Sequence, residues 1–336
     1  MIEAFQHVGI GVSDADRSLD FYKKVLGFSL KLNDHEEESQ EMVPIVGALR
    51  RMRMIMSMNL SGGAAVEIIQ HTDSEPRPLP DDAGWGDLGY LSAGVKAFKL
   101  DELMPILEKK GAKFVTPIVT TEVSQGGTWR SVFLRDPDGL VIELLETKEL
   151  RVAGRKPRVG GFSHVVIGVS DVDRAMDFLS KVVGYDAVVF DREEARPELE
   201  PVTGGLKART VMLKRSRAPQ SALPLEGGMV QLVQSSASKS RPLYEGRRWG
   251  DVGIMEMAMD VIDVAGCYDL AVEAGAEAFC PPTHMDMGMG SIGTFAYIKD
   301  PDGNIVEMVE VKKLGFMPPK VVAPLLSGVL KLRSKF

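Results

Sequence analysis

The chain is poor in cysteine and histidine and has no surplus of positive charge. Its two cysteines, Cys267 and Cys280, lack a CxxC partner or a zinc-finger spacing. A disulfide framework and a thiolate zinc site are thereby excluded, and both thiols are expected as small core residues in a reducing compartment. Lys and Arg number 40 against 47 Asp and Glu, a net charge of -7, which gives no general attraction to nucleic acid or an anionic membrane. No basic and apolar leader follows Met1 and no apolar run is long enough to span a bilayer, so a cytoplasmic protein is expected. A Gly-rich phosphate loop, an HExxH pair and a nucleophile elbow are also missing, leaving nucleotide and acyl-enzyme chemistry without support.

What is present is a repeat. Phe5-Gln6-His7-Val8-Gly9-Ile10-Gly11-Val12-Ser13-Asp14 returns as Phe162-Ser163-His164-Val165-Val166-Ile167-Gly168-Val169-Ser170-Asp171. Further on, Trp85-Gly86-Asp87 returns as Trp249-Gly250-Asp251, and Asp136-Pro137-Asp138-Gly139 as Asp300-Pro301-Asp302-Gly303. Two modules follow, 1–147 and 160–311, joined by a polar, basic linker at 148–159. The apolar tail 312–336, with Pro318-Pro319 near its start, is expected to form a docked helix or interface element, with a lid or a membrane-surface contact as the alternatives. Each module opens with an alternating strand, Ser-Asp at a helix N-cap and an amphipathic helix closed by Gly27 or Gly184. Three strands follow, and after the Trp-Gly-Asp turn the same order begins again. The fold class is therefore α+β, four βαβββ units in tandem.

Charged residues sit inside apolar strands. Glu67 lies in Ala64-Ala65-Val66-Glu67-Ile68-Ile69, Glu143 in Val141-Ile142-Glu143-Leu144-Leu145, Glu256 in Ile254-Met255-Glu256-Met257-Ala258, and Glu307 in Ile305-Val306-Glu307-Met308-Val309. A buried carboxylate requires a metal, a cation or a raised pKa. His7 and His164 share their strand faces with Gly9 and Gly11, or with Val166 and Gly168, and small neighbours suggest an enclosed space.

The His-Val-x-Ile-x-Val openings, the Asp-Pro-Asp-Gly turns followed by Ile-Glu or Val-Glu, and the paired βαβββ order resemble the vicinal oxygen chelate superfamily over about 310 residues. That family includes glyoxalase I, methylmalonyl-CoA epimerase, extradiol dioxygenases and the fosfomycin and bleomycin resistance proteins. The resemblance implies two modules of curved mixed sheet, each forming a cleft, with metal ligands from the first and fourth strands of two paired units. Sequential pairing is the expected arrangement. It gives His164, Gln231, Glu256 and Glu307 in the second module, and a degenerate first module of His7, Glu67, Ser92 and Glu143. Pairing the first unit with the fourth would instead collect His7, Glu67, Glu256 and Glu307.

The implied cofactor is a divalent metal, one of Mn, Fe(II), Zn, Co, Ni or Mg, because one imidazole with carboxylates makes a hard or borderline site. The expected activity is metal-stabilised proton transfer on a small carbonyl or vicinal-oxygen compound, by a lyase, isomerase or epimerase of the glyoxalase type. Glu256 or Glu307 would act as base, and His284, in an expected loop over the cleft, as acid or base. The alternatives are an Fe(II) extradiol dioxygenase and a non-catalytic binding or resistance protein. Methionines around His284 and in Arg51-Met52-Arg53-Met54-Ile55-Met56-Ser57-Met58 give an adaptable lining suited to an apolar substrate. The partner expected is a small molecule, with no nucleic acid and no membrane span; a homodimer is compatible with the sequence.

Overall fold

The computed structural model describes residues 2–313 apart from 125, 151, 153, 220, 222–224, 237–239 and 287–289. Most of the expected C-terminal element, from 314 onward, lies outside the described residues. The first unit holds β1 (Ile2–Gly11), α1 (Ala15–Lys24), β2 (Leu30–Lys31), β3 (His35–Glu38), α2 (Val43–Val46), β4 (Arg51–Met58) and β5 (Ala65–His71). The second holds β6 (Gly89–Phe98), α3 (Leu100–Glu108), β7 (Val119–Val123), β8 (Gly127–Arg135) and β9 (Val141–Glu146). The third holds β10 (Arg158–Gly168), α4 (Val172–Val182), β11 (Ala187–Glu194), α5 (Glu200–Thr203), β12 (Ala208–Lys214) and β13 (Met229–Ser235). The fourth holds β14 (Gly253–Val261), α6 (Val264–Glu273), β15 (Glu277–Asp286), β16 (Ile292–Lys299) and β17 (Ile305–Lys313).

The expected helix starts are present for a local reason. Asp14 and Asp171 are extended residues whose carboxylates accept from the backbone N–H of Arg17 and Arg174, capping orphan donors of the first turn. The Asp-Pro-Asp-Gly segments turn β8 into β9 and β16 into β17, with Gly139 and Gly303 at positive φ. Their second aspartates also reach another unit: Asp138 takes hydrogen bonds from Ser13 and Arg17, and Asp302 from Ser170 and Arg174.

Sequential pairing is overturned by the sheets. One runs β15-β16-β17-β14-β1-β5-β4-β2, with β3 on β4, and joins the fourth unit to the first. The other runs β11-β12-β13-β10-β6-β9-β8-β7 and joins the third to the second. The seams are antiparallel, β1 against β14 and β10 against β6. Each structural module is thus assembled from both sequence modules. The connections permit this because residues 72–88 and 236–252 are long enough to carry the chain from one sheet to the other. They also bond to each other: Leu88 N–H donates to Arg241 O, Leu243 N–H to Leu88 O, and Val252 N–H to Arg77 O, at 2.8 to 3.0 Å.

Period two then sorts the side chains. Val8, Ile10, Val66, Ile68, Val165, Ile167, Met257 and Met259 enter one continuous core with the buried faces of α1, α3, α4 and α6. Tyr22, Phe28 and Phe162 meet in it with ring centroids 5.2 to 6.4 Å apart, tying the first unit to the third. The alternate residues of the central strands, among them His7, Gly9, Glu67 and Glu256, lie on the other face.

Candidate metal centre

The register across the β1–β14 seam builds the site. Gly9 stands between Glu67 on β5 and Glu256 on β14, while His7 stands beside Ala258, whose other neighbour is Glu307 on β17. Paired residues share a face, as do residues two apart, so four strands aim one imidazole and three carboxylates into the same space. His7 Nε2 lies 3.1 Å from Glu307 Oε2, 3.4 Å from Glu67 Oε2 and 3.8 Å from Glu256 Oε1. His7, Glu256 and Glu307 are buried, and one donor atom from each falls within 4.8 Å of the others.

Gly9 has to be glycine, because a Cβ there would come within 2.6 Å of Glu256 Oε1. The outer atoms of the ligands are held by neighbours. Gln6 Oε1 lies 3.0 Å from His7 Nδ1, which turns Nε2 inward. Trp249 Nε1 donates to Glu256 Oε2 at 2.6 Å, and Trp249 O lies 2.9 Å from Nε2 of buried His71. By contrast His7 Nε2, Glu256 Oε1 and Glu307 Oε2 are buried without a hydrogen-bond partner. Orphaned donors that converge while their other atoms are fixed are what a divalent cation requires. Among the described residues no arginine or lysine pairs with these three carboxylates, so the residues present fit a metal.

The electrostatics agree. Burial pushes the Glu256 carboxyl up to about 8, helped by the charges of Glu307 and Glu67 and opposed by His7. Burial works against a charged His7, but the facing carboxylates outweigh it and raise the imidazole well above its usual value. The Tyr297 phenol is likewise pushed well up, by burial and then by the charges of Glu256, Glu307 and Glu67. Met42, Met52, Met54, Ile69, Met255 and Phe295 close an apolar cluster with Trp249 and Tyr297, which raises the cost of leaving these charges unpaired. Because Trp249 fixes the second oxygen of Glu256, Trp249→Phe is expected to weaken metal binding by about 10- to 100-fold. Competition with a chelating dye would read this, and unchanged affinity would show the indole bond to be irrelevant.

The equivalent positions of the other sheet meet differently. His164 Nε2 bonds to Glu143 Oε2 at 3.0 Å, Ser131 Oγ donates to the other oxygen of Glu143, and Ser163 Oγ lies 3.0 Å from His164 Nδ1. Val166, fully buried, stands where the first site has Gly9, and Ser92, bonded to Val141 O, stands where it has Glu256. Gly94 lets the His164 ring lie flat against the sheet, for a Cβ there would be 1.9 Å from Cε1. The His-Glu pair is closed on itself, and among the described residues no third ligand group joins it.

His164 and Gln231 therefore do not join Glu256 and Glu307. Glu143 is separated from His7 and Glu67 in the same way, and the four residues that do converge are those of the swapped pairing. His284 is also corrected. It lies in β15, not a loop, and it is exposed. Its neighbours Thr283 and Met285 pair with Phe295 and Gly293 on the face of the apolar cluster, which turns His284 to the opposite face. Sequence reading gave no role to His71 or Trp249, although the repeated Trp-Gly-Asp was a visible signal. No partner for the indole could be named before the units were paired.

Paired βαβββ units with a polar cluster buried at the seam define a class of proteins, and the comparisons name it. The family model of the glyoxalase/bleomycin resistance protein/dioxygenase superfamily matches residues 4–144 and 161–308. The chain belongs to that superfamily. A lactoylglutathione lyase of Arabidopsis thaliana is 26% identical over 203 residues, 60% of each chain, so the match spans less than two thirds of that relative. A probable lactoylglutathione lyase of Vibrio cholerae is 27% identical over 145 residues, 43% of this chain and 90% of its own. Among solved structures, glyoxalase I of Zea mays aligns with a TM-score of 0.56 at 16% identity over 92% of both chains. A putative dioxygenase of Bacillus subtilis aligns at 0.57 and 13% identity over 100% of this chain and 97% of its own. Identities this low show the fold alone. No described helix is long and apolar enough to cross a membrane.

Proposed function

We propose that the chain is a divalent-metal-dependent lyase or isomerase of the glyoxalase type, acting on a small carbonyl compound with adjacent oxygens. The observation that carries this reading is the convergence of one buried imidazole and two buried carboxylates, through His7 Nε2, Glu256 Oε1 and Glu307 Oε2, on one another and on no arginine or lysine among the described residues, with Glu67 beside them. A metal bound there supplies Lewis-acid polarisation of the substrate's oxygens. The protein's own groups handle the proton. Glu256, held by Trp249 on its other oxygen, is placed to accept, in its ionised form, a proton from the carbon beside the carbonyl and to return it to the adjacent atom. Glu307 and Glu67 keep the site negative, and the apolar cluster excludes water that would compete for the proton.

A single imidazole among three carboxylates differs from the two-histidine, one-carboxylate set suited to Fe(II) and O₂, which favours proton transfer over ring cleavage. The deciding experiment purifies the chain from cells supplied with Mn, Fe, Co, Ni and Zn and determines bound metal by elemental mass spectrometry. Each metal form is then assayed for lactoylglutathione formation and for solvent deuterium exchange at the carbon next to the carbonyl in a panel of 2-oxoaldehydes and 2-hydroxyketones. One metal per chain with exchange on at least one compound supports the proposal. A chain that takes up no metal, or a fully loaded one that exchanges nothing, overturns it.

A further inference from the structure

Strand β5 carries a second histidine, outside the ligand cluster. His71 shares its strand face with Glu67, four residues earlier, and stands beside Met52. It is buried. Its Nε2 lies 2.9 Å from the carbonyl oxygen of Trp249, and because a carbonyl only accepts, Nε2 carries the proton. Nδ1 is buried without a hydrogen-bond partner. Burial also holds the imidazole below its usual value, which keeps it a neutral, single donor. Gly250 leaves room for the contact, since a Cβ there would come within 2.8 Å of His71 Nε2.

Trp249 carries that bond on to the metal ligand. Its indole Nε1 donates to Glu256 Oε2 at 2.6 Å, and the other oxygen of Glu256, Oε1, faces His7 at 3.8 Å. The repeat supplies the comparison. In both halves the Trp-Gly-Asp turn is closed by its own aspartate: Asp251 accepts from the backbone N–H of Arg248, and Asp87 from that of Gly84. In the other half Ser235 stands at the place of His71, beside Gly86, and the turn still forms. The turn itself therefore does not require the histidine. In that half Trp85 is only half-buried, and the place of Glu256 is taken by Ser92, bonded to Val141 O. A histidine on the turn and a carboxylate under the indole occur together in one half, and the other half has neither.

We propose that His71 is a positioning residue for Glu256, acting through Trp249. By fixing the Trp249 carbonyl it holds the indole N–H on Oε2, so that Oε1 is presented to the metal. The inference deepens the metal-centre reading and rests on it. It also gives a residue of the first unit a bearing on a ligand of the fourth, because the contact from His71 to Trp249 spans 178 residues and joins those two units.

The test begins with the full, metal-free chain. Its three tryptophans give three indole N–H signals in ¹H–¹⁵N spectra, and the one absent from Trp249→Phe belongs to Trp249. That signal should lie downfield, as a donor to a carboxylate. It should move upfield and exchange faster with deuterium in His71→Leu, and in His71→Ser, which copies the other half. His71→Gln, whose amide donates from the same distance along the side chain, should restore it. The signals of Trp85 and Trp129 should stay in place throughout, which also shows that the variants are folded. With Zn²⁺ and a competing chelating dye, His71→Leu should bind about fivefold more weakly than the parent, the value of one neutral hydrogen bond, and His71→Gln should match the parent. In a Trp249→Phe background His71→Leu should have no further effect. The proposal is overturned if the Trp249 signal ignores His71→Leu, if His71→Gln behaves like His71→Leu, or if the two losses of affinity multiply. A parent that binds no Zn²⁺ counts against the metal reading alone, and the indole signal still decides whether His71 holds Trp249 on Glu256.

Discussion

Glu256→Gln is expected to lower metal affinity by more than about 100-fold, since partners one sphere further out are alone worth 10- to 100-fold, whereas Glu143→Gln and His164→Ala should leave the metal in place. The contrast rests on two environments for the same motif. Glu256 offers an inward oxygen with no hydrogen-bond partner and lies directly over Gly9, which has no side chain to displace it. Glu143 has both oxygens bonded, to His164 and Ser131, and buried Val166 stands in the place of Gly9 with Ser92 as its strand partner. Elemental mass spectrometry of the purified variants gives the answer directly. A metal lost from His164→Ala but retained by Glu256→Gln would reject the site.

The same change should make the metal-free chain more heat-stable. One of three clustered carboxylates is removed, and at pH 8 a few degrees of Tm are expected, on the order of 1 to 2 kcal/mol. A site that weakens the fold without its ion is the signature of function in place of packing.

Metal affinity should also rise steeply with pH. Without metal, Glu256 holds its proton up to about 8, mainly through burial, and His7 holds its own well above the usual imidazole value despite burial, because of the carboxylates around it. Binding a cation displaces these protons, so affinity should increase by at least about tenfold per pH unit between 6 and 8. The same groups make the metal-free fold less stable as pH rises. The stability that their raised pKa values confer is complete below the unfolded values, near 4.3 for Glu and 6.5 for His, and is lost as pH climbs through the folded ones. Calorimetry in buffers of different ionisation enthalpy counts the protons released. A pH-independent affinity would mean that His7 and Glu256 are not ligands.

Much of this was legible in the residues because it is local. The helix starts at Asp14 and Asp171, the turns at Gly139 and Gly303, and the alternation that sends Val8 and His7 to opposite faces of β1 depend only on neighbours in sequence. The weakness of one half was also visible, because Ser92 cannot do what Glu256 does. The expected loop at His284 failed for a non-local reason: Thr283 to Asp286 are drawn into β15 by pairing with β16, and no propensity of Pro281-Pro282 announces it.

By itself the sequence determined four units, their strands, and the imidazole and carboxylates available to a site. Only the tertiary structure decided which of them meet. The edges of β1, β6, β10 and β14 are all apolar and alternate alike, so strand chemistry cannot distinguish sequential from crossed partners. The choice falls to contacts between distant segments, above all the bonds of Arg77 and Leu88 with Arg241, Leu243 and Val252. That crossing places Glu256 and Glu307 beside His7, and leaves His164 to Glu143.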